Sequence, residues 1–125
     1  MSSYAFSPGR MLSPITSALA TSQSAACWLV AAGGYAYIAN AASATITGVN
    51  VSETGVLTLH DAGGMTATTG SGATDLAVSP DRGYLYSLSG NPRTIQAFEI
   101  HADGALVGLA PLPGVSATAV GLAAR

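Results

Sequence analysis

The chain has 125 residues, room for one ordinary domain. Apolar residues make up 49% of it, which supports a packed core and excludes general disorder. Charged residues make up only 8%, lysine is absent, the four arginines are scattered singly and the net charge is −2, which excludes a nucleic-acid partner held through its phosphates and an electrostatic grip on an anionic membrane.

The opening stretch reads as two short strands, around Tyr4–Phe6 and around Leu12. It has no basic region followed by an apolar one, so no secretion signal is recognisable and the default expectation is the cytoplasm. Four strands follow, Cys27–Ala31, Tyr35–Asn40, Thr45–Val51 and Val56–His60. They are separated by turn chemistry at Ala32-Gly33-Gly34, Ala41-Ala42-Ser43 and Ser52-Glu53-Thr54-Gly55. The stretch from Ala25 to Ala42 is uncharged but holds Gly33-Gly34, Asn40 and two tyrosines, and its many alanines contribute little to insertion; it is not read as a membrane span. Cys27 is the single cysteine, so an intramolecular disulfide and multi-cysteine zinc sites are excluded. With no base or cation beside it in sequence, it is expected to be a small buried hydrophobe rather than a nucleophile.

A second set of four strands spans Asp75–Ser79, Tyr84–Leu88, Thr94–Ile100 and Ala105–Leu109. Pro80-Asp81-Arg82-Gly83, Ser89-Gly90-Asn91-Pro92 and Ala102-Asp103-Gly104 supply the turns, with proline presetting φ, glycine supplying a positive φ, and Asp-Gly a strong hairpin signal. Gly70-Ser71-Gly72 has no helix or basic residue after it, so it is expected to be a flexible loop between units rather than a phosphate cradle. The closing Gly121-Leu122-Ala123-Ala124 reads as one more strand.

These elements repeat. A shift of 49 residues lays Gly34-Tyr35-Ala36-Tyr37 on Gly83-Tyr84-Leu85-Tyr86, Thr45-Ile46 on Thr94-Ile95, Val49 and Val51 on Phe98 and Ile100, and Gly55 and Leu57 on Gly104 and Leu106. A shift of 45 lays Tyr4, Phe6 and Leu12 on Val49, Val51 and Leu57, and Gly121–Ala124 resembles Asp75–Val78. Four strands at a period between about 40 and 50 residues is the sequence pattern of a β-propeller blade. The expected fold is all-β: a partial β-propeller with two full four-stranded antiparallel blades and flanking partial blades. Its units run over 1–20, 21–66, 67–114 and 115–125. Trp28, Tyr35, Tyr37, Tyr84, Tyr86 and Phe98 are expected to pack blade against blade.

The stretch Gly72 to Tyr86, with its apolar strand, Ser79-Pro80-Asp81 turn and following aromatic strand, resembles the blade motif of the lactonase-like seven-bladed propellers. Thr94-Ile95 through Phe98 to Leu106 resembles the rest of that blade. That family includes bacterial propeller-type 6-phosphogluconolactonases and YVTN-repeat proteins. The turn at Ala31–Gly34 departs from the motif in lacking Pro and Asp, and Asp81-Arg82-Gly83 inverts the usual Asp-Gly order. The resemblance implies a C-terminal partial propeller and hydrolysis of a small sugar lactone, though not by this chain alone. The alternative is a non-catalytic binding or scaffold module.

Asp75, the charged residue at the start of an inner strand, is the candidate catalytic group; a carboxylate bonded to backbone amides of its own loop is the competing reading. Thr74, Asp75 and Arg93 are the candidate ligand-binding residues. His60 and His101 fall at different blade positions and are expected to be loop or surface histidines that do not meet Asp75. No Gly-x-Ser-x-Gly elbow and no paired-carboxylate spacing is present, and no metal or cofactor is expected. Open blade faces imply self-association or a blade-completing partner, two chains closing a six-bladed ring through mixed blades.

Overall fold

The computed structural model describes residues 1–9 and 11–125. Every regular element among them is a strand, and no helix is long and apolar enough to cross a membrane. β1 (Ser3–Phe6) and β2 (Leu12–Thr16) form a hairpin. β3 (Ala26–Ala32), β4 (Tyr35–Asn40), β5 (Thr45–Val51) and β6 (Leu57–Leu59) form an antiparallel meander, and the short β7 (Ala67–Thr68) returns to β5. β8 (Ser71–Val78), β9 (Tyr84–Asn91), β10 (Thr94–Ile100) and β11 (Leu106–Gly108) repeat that meander, with β12 (Leu112–Pro113) returning to β10. The fold is therefore all-β, two full four-stranded blades flanked by partial ones.

The outer strand of each blade is split. β6 pairs with Val49–Val51 and β7 with Thr45–Ile46 of the same neighbour. β11 and β12 divide the edge of β10 in the same way. The connecting bulge spans residues 60–66 in the first blade and only 109–111 in the second.

The core lies between the blades, because strand side chains alternate and each sheet carries apolar residues on both faces. Tyr37, Ala39 and Ile46 of the first blade meet Ala73, Leu76, Leu85 and Phe98 of the second. On the other face of the first blade, Ala36, Ile38, Val49 and Leu57 are covered by Met1 and Leu19 of the opening segment. Sealing an apolar side chain of this size contributes about 1.5–3 kcal/mol, so these two layers hold the fold.

Hydrogen bonds fix the register of blade on blade. The Tyr37 hydroxyl donates to the Gly104 carbonyl at 3.0 Å, and the Tyr35 hydroxyl to the Ala102 carbonyl at 3.0 Å. Gly104 has φ +90, and a Cβ there would run into the Tyr35 ring, so glycine serves both the turn and the contact.

Five expectations need correction. Ser71 and Gly72 belong to β8 rather than to a flexible loop, and the Gly72 amide donates to the Ala41 carbonyl at 3.1 Å, tying the strand to the preceding blade. The closing segment forms no strand, since no second strand lies beside it to pair with. The positive φ of the turn after β8 falls on Arg82, at 62°, not on Gly83: the inverted Asp-Arg-Gly order puts a side chain in the left-handed position. Cys27 is exposed rather than buried. The hairpin β1–β2 matches the third and fourth strands of a blade, so among the described residues no inner strand covers Leu29, which lies beside Ile38 on the face toward the opening segment. Trp28 and Tyr84, expected to pack blade against blade, are 46% and 38% exposed: Trp28 lies beside Ala39 at the register shift of β3, and Tyr84 on the open face of the second blade.

Burial first, then the neighbouring Tyr35 and Asp103, push the Tyr37 hydroxyl pKa up to about 12 from 10.0. A raised folded-state value means its contribution is complete below pH 10.0 and is lost as pH climbs toward 12. Tyr37→Phe is expected to cost about 1–2 kcal/mol at neutral pH by orphaning the Gly104 carbonyl. It should also flatten the alkaline limb of the stability profile; urea unfolding from pH 7 to 12 measures both.

Candidate functional site

Asp75 sits on the innermost strand of the second blade, where the β8–β9 register shifts between Ala73 and Asp75. Such an irregularity re-aims a side chain and leaves main-chain amides without ladder partners. The carboxylate fills that need. Oδ1 accepts from the Leu76 amide at 2.8 Å, and Oδ2 accepts from the Leu122 amide at 2.7 Å. One residue therefore ties its own strand to the closing segment 47 positions away.

The other candidates stand apart from that clasp. Thr74 is its chain neighbour, but the Thr74 hydroxyl donates to the Leu88 carbonyl at 3.4 Å. Arg93 is exposed in the turn between β9 and β10, and among the described residues no hydrogen bond or ion pair joins it to Asp75 or Thr74. His60 Nδ1 lies 3.3 Å from Asn50 Oδ1, and its ring meets Tyr35 edge-on with centroids 6.3 Å apart. His101 Nε2 lies 4.0 Å from Glu99 Oε2 on the surface. Neither histidine hydrogen-bonds Asp75 among the described residues.

Asp81 closes the turn after β8. Its pKa is held below the ordinary carboxylate range by the Ser79 hydroxyl first and the Gly83 amide second. It is fully solvent-exposed, so the effect belongs to turn geometry rather than to a reactive site.

A buried polar network at the far end of β4 has no counterpart in the sequence reading. Asn40 Nδ2 donates to Thr45 Oγ1 at 3.1 Å and to Thr47 Oγ1 at 2.9 Å, and the Thr45 hydroxyl donates to Gln23 Oε1 at 2.9 Å. Asn40 Oδ1, Ser87 Oγ and Ser89 Oγ are buried with no hydrogen-bond partner among the described residues. By the shift of 49, Asn40 corresponds to Ser89 and Thr47 to Gln96, so the repeat gave no signal for it. Among the described residues no group of three or more His, Cys, Asp or Glu side chains is placed to hold a metal ion.

Three grooves border these features. One of about 490 Å³ follows Glu99 to Asp103. A second, about 170 Å³, lies beside Cys27 and Trp28. The third, about 390 Å³, runs between Tyr86, Ile95 and Leu112 on one side and Leu122–Arg125 on the other.

The chain matches no protein-family model and no curated protein. Solved structures that resemble it include a functionally unknown protein from Desulfotomaculum acetoxidans, with a TM-score of 0.73 at 17% identity over 86% of this chain and 33% of that one. They also include a protein from Bacteroides uniformis provisionally assigned as a 6-phosphogluconolactonase, with a TM-score of 0.71 at 20% identity over 90% of this chain and 35% of that one. The likeness is one of fold. The chain spans about a third of the length of either neighbour.

Asp75→Ala removes the acceptor shared by two amides and is expected to cost about 1 kcal/mol. Its local signature is selective: amide exchange at Leu122 and Leu76 should accelerate well beyond that of β4 and β5. Uniform protection across all four would contradict the clasp.

Proposed function

We propose that the chain is a structural segment of a lactonase-like propeller, built from units 1–20, 21–66, 67–114 and 115–125, and that its residues alone do not open a sugar lactone. The supporting observation is the state of Asp75, whose two carboxylate oxygens each accept a main-chain amide. Lactone hydrolysis needs a base to take a proton from the attacking water and donors for the oxyanion that forms before the ring C–O bond breaks. A general base needs an oxygen directed at water, and here neither histidine orients or relays through Asp75. Its role in this reading is to hold the closing segment against the second blade.

The hydrolytic reading rests on the provisional assignment of the Bacteroides uniformis protein, together with the blade motif at Gly72–Tyr86. In that reading Thr74 and Asp75 contact the sugar and Arg93 its phosphate. One assay separates the two. The purified chain is incubated with gluconolactone and with its 6-phosphate, and ring opening is followed by proton release. The expected rate equals spontaneous hydrolysis in buffer and does not change in Asp75→Asn. A rate about a hundredfold or more above buffer, lost in Asp75→Asn, would overturn the structural reading in favour of the catalytic one.

A further inference from the structure

The interface inside this chain is a template for what its two ends lack. Between the blades, Tyr37 and Ile46 present one apolar half, and Phe98, Ile100 and Leu106 belong to the other. Tyr86 and Ile95 are the 49-residue equivalents of Tyr37 and Ile46, yet both remain partly exposed along the third groove. Tyr4, Phe6 and Leu12 are the equivalents of Phe98, Ile100 and Leu106, through successive shifts of 49 and 45. They are 55%, 69% and 65% exposed on the hairpin at the opposite end. The two bare surfaces are thus the two halves of one buried contact, placed at opposite ends of the same molecule.

We propose that the open face of the second blade docks the β1–β2 hairpin of a second copy of this chain. Tyr4, Phe6 and Leu12 of that copy cover Tyr86 and Ile95, alongside the closing segment that Asp75 holds in place. The occupant is identified by elimination within the repeat. The turn at Gly104 is already occupied by Tyr35 and Tyr37, and the turn at Gly55 is covered by Ser3, whose hydroxyl donates to the Gly55 carbonyl at 2.7 Å. The β1–β2 hairpin is closed in the same way, the Ser7 amide donating to the Met11 carbonyl at 3.1 Å as Ser52 does to Val56 and His101 to Ala105, and it has no such neighbour among the described residues. Each chain offers one face and one hairpin, so two chains form two identical junctions related by a two-fold axis and leave neither surface bare.

Light scattering of the full chain across a concentration series tests this. The expected particle has twice the chain mass at tens of micromolar. Phe6→Glu and Ile95→Lys each place a charge in the junction and should raise the dissociation constant at least about tenfold, or ~1.4 kcal/mol. Phe6 is a surface residue in the single chain, so unchanged circular dichroism of its variant excludes misfolding as the cause. Mixing the two variants places Glu against Lys at one junction and leaves the other wild type, so the paired species should re-form. A monomer at every concentration would overturn the proposal and point to further blades on the same polypeptide as the occupant. A dimer indifferent to Ile95→Lys would overturn it in favour of hairpin-to-hairpin contact. Particles that grow beyond two chains would overturn the two-fold closure.

Discussion

The structure depends on one constraint: each four-stranded sheet is apolar on both faces and cannot stand alone. A sheet with a polar outer face hides one side and solvates the other. Here Ala36 and Ile38 point one way from β4 while Tyr37 and Ala39 point the other, and all four are buried. Burial on both sides is possible only between two neighbours. The same requirement explains why Tyr37 is fully enclosed and Tyr86, its equivalent one blade on, is not. Chemistry and local backbone match at the two positions; only the neighbour differs.

Much of this was legible in the sequence. The shift of 49 residues located β4, β5, β9 and β10, because the alternation of apolar residues and the turns between them are local properties of the chain. β4, β5 and β10 have the expected bounds, and β9 starts at Tyr84 as expected. The outer strands were harder. β6 and β7 are separated by residues 60–66, and neither piece is long enough to show an alternation. Exposure was the least legible property. Cys27 and Trp28 have the composition of buried residues, and nothing local reveals that both are exposed at the register shift of β3. Burial in a repeat fold is set by the next unit rather than by the residue.

Asp75 shows a similar limit at the candidate site. A lone acid at the head of an inner strand reads equally well as a channel-mouth ligand or as a backbone acceptor. Its Leu76 bond is of the local kind that short acidic side chains form. Its Leu122 bond is not local and could not be read from spacing, because the closing segment resembles β8 in sequence yet forms no strand.

The repeat also explains why the acid occurs once. In the first blade Trp28 stands where Asp75 stands in the second: Trp28 pairs with Ala39 as Asp75 pairs with Leu88, and the register shift between Ala26 and Trp28 mirrors the one between Ala73 and Asp75. In the first blade the next inner strand, β8, is held by its own ladder to β9 and by the Gly72 amide on the Ala41 carbonyl. No carboxylate is needed at Trp28 to keep it there. Leu122 has no ladder, because the closing segment has no second strand beside it. A main-chain amide in that setting is stabilised by an acceptor from outside its own sheet, and an ionised carboxylate makes a stronger one than a neutral carbonyl. The acid stands where a segment without a ladder partner is anchored, so its single occurrence on the inner strands follows from an asymmetry of hydrogen bonding.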